Sequence, residues 1–278
     1  MDLSEKVSKL ISEITAKRLI DKDLKPVVVV SRIIEEGQIL FEVEKDKDFL
    51  QIVQETYIKL LVNQGAEPIK ARQSWVVASG GNFEGYIREH INEVLNSKGI
   101  IAIKGTLLQK LAKKSEKAKE LVRFLTLQAK RKCIQTGVDV WPDNDVLVLG
   151  KTNSNQWRVL ASISVKTSSH SRNTSVLFWA MAVTGLGIKY YLATQDRDNQ
   201  FVKDCTSENV NQERRLFEAY CDRVFTTNPN ASYCAQVKSL KLRDNGSSEL
   251  TDELLDLRNR EILNAENFAV SIDDLESY

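Results

Sequence analysis

The chain has 278 residues, 42% of them hydrophobic and 28% charged, a composition expected of a soluble globular protein with one sizeable core or a core plus an appendage. No apolar run approaches the roughly 18 residues of a membrane span, and Met1 to Lys6 lacks the basic-then-apolar pattern of a secretion signal, so a cytoplasmic protein is expected. Four cysteines without Cys-x-x-Cys spacing read as free thiols, and two distant histidines, His90 and His170, exclude zinc-hydrolase and His-centred nuclease motifs.

In chain order, residues 1–24 have the period of an amphipathic helix, with Leu3, Val7, Leu10, Ile11 and Ile14 on one stripe. The pair Lys25-Pro26 ends it, because the residue before proline is pushed out of helical geometry. Val27 to Ile34 fits either a strand or a buried helical segment, and Asp48 to Asn63 is again helical by period. These elements predict a mainly helical N-terminal domain over residues 1–75, followed by a second domain over 76–278. Within it, Ser79-Gly80-Gly81-Asn82 predicts a break, after which Phe83 to Ser97 predicts a helix ended by Gly99.

Ile100 to Ile103 is a short predicted strand. From Lys104 to Lys132 ten Lys/Arg face two Glu, a basic helical stretch that suits either a polyanion or a solvated helix face. Two apolar runs, Val146 to Leu149 and Val159 to Val165, flank a polar turn and predict a hairpin. Thr174 to Val183 reads as a buried helix, Lys189 to Thr194 as a strand with one of Tyr190 and Tyr191 buried, and Arg214 to Asp222 as a helix. Arg223 to Thr227 reads as a last strand, and an acidic, mostly helical tail begins at Leu250, with ten Asp/Glu against two Arg from Asp244 onward. The order predicts an α/β fold: a central mixed sheet flanked by helices, with the helical N-terminal domain beside it.

The hairpin carries the chemistry. Asp145 opens its first strand and Lys166 closes its second, so both charges meet at one rim of the sheet. Ser164 shares the face of Lys166, two residues or about 6.7 Å along the strand. A carboxylate beside an amine suits Mg²⁺, which takes one or two carboxylates plus waters and phosphate oxygens. The lysine would hold an attacking water or neutralise phosphorane-like charge. That makes a metal-dependent phosphodiester-cleaving enzyme the leading reading; the plain alternative is a turn-capping aspartate and an edge-strand lysine. A second carboxylate is wanted, and Ser164 cannot supply it. Glu84, at the start of its predicted helix, is the preferred second metal ligand with Asp145, and Asp143 is a further acidic candidate in less certain geometry.

At these residues the sequence resembles the PD-(D/E)XK nucleases, and within them the type II restriction endonucleases, nearest the EcoRII-like and CCGG-type branch. Asp145, then Ser164-Val165-Lys166, with Glu84 upstream, carry the core of the resemblance. Lys166-Thr167-Ser168, Arg172, the helix with Trp179, and Lys189 to Thr194 extend it over residues 72–230. The resemblance implies a restriction-endonuclease-like core in which Asp145 and Glu84 bind Mg²⁺ and Lys166 sits by the attacking water. It also implies double-stranded DNA as substrate and a cognate DNA methyltransferase in the same host. Two departures stand in this chain: Ser164 replaces the usual acid, and of the Arg-acid-Arg cluster that reads guanine and cytosine only Arg172 is near its place.

The segment after Lys166 would enter a groove of DNA. His170, Ser171, Arg172 and Asn173 form a donor-rich stretch there; Arg on guanine and Asn on adenine are favoured major-groove pairings. A helix N-cap at Asn173 or Thr174 is the competing role. Arg72 and Gln73 are weaker candidates for DNA contact. Cutting both strands calls for one site per strand, hence a homodimer, at least on DNA. Two alternatives stay open: a structure-specific repair or recombination nuclease of the same fold, told apart by its taste for branched substrates, and a DNA-binding protein without catalysis, favoured by Ser164.

Overall fold

The computed structural model describes residues 3–20, 30, 32–34, 36–37, 47–130, 137–168, 173–207 and 209–264. Contacts divide the chain into two compact units, Met1–Gly85 and Tyr86–Tyr278. The first is helical where described: α1 (Leu3–Ile20), α2 (Lys47–Asn63) and the first part of α3 (Pro68–Leu95). Its core gathers Val7, Leu10, Ile11 and Ile14 with Val53, Tyr57, Trp75 and Ala78. The hydroxyl of Tyr57 lies 3.1 Å from that of Ser74. Val30 and Ile33 are buried in helical geometry, which fits the helical reading at those positions; residues 27–29 and 31 lie outside the described residues.

The predicted break at Ser79–Asn82 is absent, since α3 runs unbroken through it. A glycine inside a helix costs only about 1 kcal/mol against alanine. Ala71, Trp75, Ala78, Phe83, Ile87, Ile91 and Leu95 are all buried along the helix, and their combined burial outweighs two glycines at roughly 25 cal/mol per Å². Gly99 ends the following 3₁₀ turn (Asn96–Lys98) with φ of 72°, the left-handed cap that glycine adopts without penalty.

The second unit is built on a six-stranded sheet in the order β1 (Ile100–Lys104), β4 (Val146–Lys151), β5 (Trp157–Lys166), β6 (Lys189–Thr194), β7 (Arg223–Thr226) and β8 (Val237–Ser239). The β1–β4 and β4–β5 pairs are antiparallel and the remaining three are parallel, so the sheet is mixed, as predicted. Between β1 and β4 lie α4 (Gly105–Leu111), α5 (Glu116–Leu125) and a two-stranded sheet of β2 (Leu127–Lys130) and β3 (Gly137–Val140). After β5 come α6 (Asn173–Thr184), α7 (Gln212–Tyr220) between β6 and β7, and α8 (Glu249–Asn264).

One face of the sheet, with Ile101, Ile103, Leu147, Leu149, Trp157, Val159, Tyr190, Leu192 and Val224, packs on Leu108 of α4, Leu121 and Leu125 of α5, Val176 and Ala180 of α6 and Phe217 of α7. Toward the other face, Asn92 of α3 grips the Ala102 backbone through both amide atoms, at 2.7 and 3.1 Å. Tyr191 there donates to Glu253 of α8 at 3.4 Å. Because helices cover both faces, Tyr190 and Tyr191 are both fully buried, not one of the two as expected.

Four further differences concern limits and faces. The strand at Arg223–Thr226 is followed by β8, a three-residue edge strand too short to leave a period in the sequence. The basic stretch is helical only as far as Leu125 and then forms β2. The helix α6 is apolar on all sides yet not wholly buried: Phe178 is 56% and Met181 59% exposed. The acidic segment is part of the fold over Glu249–Asn264, with Leu250, Leu254 and Leu257 buried and Asp252 paired with Arg243.

The hairpin is not regular. Val148 pairs with Ala161 but Leu149 pairs with Val159, so Leu160 is the extra residue of a β-bulge. Gly150 opposite makes room for it, because a side-chain carbon there would come 2.6 Å from the Leu160 methyl. The bulge resets the alternation: Trp157 and Val159 face the core cluster before it, and Ser162, Ser164 and Lys166 take that face after it.

Candidate active site

Pro142 to Asp145 leads into β4 as an irregular segment, and its position is fixed by close packing. The Asn144 amide nitrogen donates to the Pro142 carbonyl at 2.8 Å, and Ser162 donates to the Asn144 side-chain oxygen at 2.6 Å. Gly105, at the start of α4, lies flush against the Asn144 backbone, where any side chain would collide with the Asn144 carbonyl. Asp145 is therefore delivered to the end of β4 by a segment wedged between α4 and β5.

There Asp145 and Lys166 meet. The Lys166 ammonium donates to Asp145 Oδ2 at 2.6 Å. The same oxygen accepts the Val165 amide at 2.7 Å and the Ser164 hydroxyl at 3.4 Å. The Asp143 carboxylate lies 4.0 Å from the same amine. Lys166 is only 6% exposed, Asp145 20% and Asp143 57%. An ammonium this deep needs its counter-charge, since desolvation otherwise costs several kcal/mol. Tyr190 is buried beside Ser164 with no hydrogen bond of normal geometry from its hydroxyl, and burial pushes that phenol above its ordinary value.

The donor set suits a hard cation in part. All three hydrogen bonds to Asp145 converge on Oδ2, which leaves Oδ1 for an oxygen-seeking ion, with Asp143 at the same rim. No group of three or more His, Cys, Asp or Glu side chains is gathered in this way among the described residues. A site of one or two carboxylates, completed by waters and phosphate oxygens, is what Mg²⁺ commonly takes.

The other expected residues divide. Glu84 lies in the first unit, in the interior of α3 and not in a first helical turn, so the helix-terminal advantage expected for it does not apply. Arg72 and Gln73 are exposed on α3. His170, Ser171 and Arg172 lie outside the described residues, as does the side chain of Asn173, the first residue of α6.

Several residues that shape the site have no motif. Asn144, Ser162 and Gly105 read in sequence as ordinary strand or loop positions. The only hint is the run Pro142-Asp143-Asn144-Asp145, whose polar residues precede an apolar strand. At the same end of the parallel strands, Asp196 accepts the Gln200 amide at 2.6 Å and the Asn228 side chain at 2.8 Å, and burial pushes its carboxyl upward against those bonds. The Gln195 amide donates to the Lys166 carbonyl at 3.2 Å, which ties that polar loop to the end of β5.

Residues 125–245, which include Asp145 and Lys166 but not Glu84, match the family model described as BsaWI restriction endonuclease type 2. A Methanocaldococcus jannaschii protein, MjaVIP, named as a type II restriction enzyme, is 25% identical over 190 residues, covering 66% of this chain and 79% of its own. The crystal structure of the restriction endonuclease AgeI in complex with DNA superposes with a TM-score of 0.58 at 18% identity, covering 91% of this chain and 92% of that one. That likeness shows the fold: a mixed sheet with helices on both sides. The family match and the relative make the chain similar to type II restriction endonucleases, and its architecture is that of AgeI.

Proposed function

We propose that the chain hydrolyses phosphodiester bonds of double-stranded DNA at a specific sequence, with Mg²⁺ as cofactor and Asp145 and Lys166 as the central pair. The observation that carries this reading is the Lys166 amine, 6% exposed and held between Asp145 at 2.6 Å and Asp143 at 4.0 Å at the rim of the sheet. Asp145, with Asp143 or Glu84 as the second acid, would hold the ion. When bound, it would polarise the scissile phosphate and make a bound water more acidic.

The chain's own residues do the rest. The Val165 amide and Ser164 hydroxyl fix the Asp145 carboxylate in one rotamer, so its free oxygen is aimed before substrate arrives. Lys166 presents a positive charge where negative charge grows on the phosphoryl oxygens, and orients the attacking water. Such preorganised charge in a partly dehydrated site is worth about 10²–10³ in rate. Ser164 in the usual place of an acid leaves the site with fewer protein ligands and more reliance on Asp143 and Glu84. The segment 170–173 after β5, with Arg72 and Gln73, would contact DNA. A cytoplasmic restriction enzyme of this kind is partnered by a methyltransferase that protects its own sites.

Digestion of a plasmid of known sequence, with fragment ends sequenced, tests the reading. Mg²⁺-dependent ends that share one short sequence are expected, and Lys166→Ala and Asp145→Asn should each lower the rate by about 10²-fold or more. Cleavage confined to branched substrates, random nicking, or full activity in Lys166→Ala would overturn it.

A further inference from the structure

Beside the catalytic rim lies a cleft of about 340 Å³ between the last turns of α3 and the first turns of α4, lined by Arg88, Asn92, Ala102, Lys104, Thr106 and Lys110, with Ile103 and Leu107 behind them. The geometry points to a phosphate-binding cleft that seats a backbone phosphate of the DNA flanking the scissile bond. This rests on the proposed nuclease function and adds a positioning site that the carboxylates and Lys166 do not provide.

The charge is one-sided. Arg88, Lys104 and Lys110 line the cleft and none of its lining side chains is acidic. Glu89 shares the charge of Arg88 at 3.5 Å but is exposed and outside the lining. Three cations drawn toward one cleft repel one another, and an anion seated among them relieves that repulsion.

The walls are rigid. Asn92 spends its amide on the Ala102 backbone at 2.7 and 3.1 Å, so it locks α3 to β1 and does not itself offer a donor. Arg88 and Asn92 are four apart on α3, and Thr106 and Lys110 four apart on α4, so each helix turns two of these side chains to the cleft. The Thr106 hydroxyl is exposed and can donate to a phosphate oxygen.

Position links the cleft to the chemistry. Lys104 pairs directly with Val146, the residue after Asp145, and Gly105 lies against Asn144. Lys104 thus stands at the same end of the sheet as Asp145, with its side chain on the opposite face. A polyanion crossing the rim at Asp145 passes over it.

The test measures duplex binding in EDTA against salt for wild type, Lys110→Ala, the double variant Arg88→Ala/Lys110→Ala, and Lys110→Arg. Each lost phosphate contact should flatten the slope of log K against log salt by about 0.9. The cleft seats one phosphate, so the double variant should flatten the slope by about 0.9 in all and the single one by no more than that, equally on cognate and unrelated duplexes, and Lys110→Arg should keep the wild-type slope. A wild-type slope in a folded double variant overturns the inference. A second arm follows melting temperature with inorganic phosphate. A phosphate-dependent rise lost in the double variant, with the DNA slope unchanged, assigns the cleft to a free anion and overturns the DNA assignment. Failure of wild type to bind any duplex would overturn the nuclease reading and this cleft together, whereas wild-type binding with an unchanged variant slope removes the cleft alone.

Discussion

The amine of Lys166 and the carboxylate of Asp145 are unequal partners, and the inequality can be measured. Removing the amine leaves Asp145 partly solvated and still bonded to the Val165 amide. Removing the carboxylate strands a buried ammonium and an unpaired amide, with only Asp143 at 4.0 Å to help. Lys166→Met should therefore change unfolding stability by no more than about 1 kcal/mol while abolishing cleavage. Asp145→Ala should cost about 2–3 kcal/mol as well as activity. Chemical denaturation of both variants checks this; equal losses would contradict the account. The pair itself was legible, because a strand opening on Asp and its partner ending on Lys is a local pattern. Gly105, Asn144 and Ser162 were not, because their roles come from contacts between separate segments, the backbone of Gly105 against Asn144 and the Ser162 hydroxyl on the Asn144 side chain.

Among the elements, α7 carries a residue that sequence reading passes over. Arg214 is fully buried, bonded to Glu218 at 2.6 Å, to the carbonyls of Phe201 at 2.8 Å and Ser232 at 3.0 Å, and to the carbonyl of Lys203. Its guanidinium also lies 5.7 Å from the Phe201 ring. One planar fork thus closes both loops that follow β6 and β7. Arg214→Met would leave three carbonyls and a carboxylate without their donor, and should destabilise the unit by about 3–5 kcal/mol, read from the denaturation midpoint. In sequence the arginine sits in a polar run, Glu213-Arg214-Arg215, and looks exposed. The helices and long strands were readable because their apolar periods extend over many residues. The break expected at Gly80-Gly81 fails because a local glycine signal yields to burial along the whole of α3, and β2, β3 and β8 escape because, unlike β7 with Val224-Phe225, their three or four residues contain no two adjacent apolar ones.

At the scale of the whole molecule, one rim offers one Asp145–Lys166 pair, while a duplex has two strands to cut. Two protomers related by a two-fold axis are the simplest solution, and light scattering of the complex with a cognate duplex should give two chains per DNA; one chain per DNA would exclude it. The likeness of architecture was foreseeable from the order helix, strand, hairpin, helix, strand. The residues that would read bases were not, because the segment proposed for that role, 170–173, departs from the pattern that would name them. The bulged Leu160 has a consequence for which side of the protein does chemistry. Count outward from the turn at Asn155 as if the strand were even, and the lysine emerges on the side away from the aspartate. One surplus amino acid, with a glycine opposite to admit it, acts as a phase shifter: straighten the ribbon there without removing a residue and the sheet can persist with its amine pointing backwards.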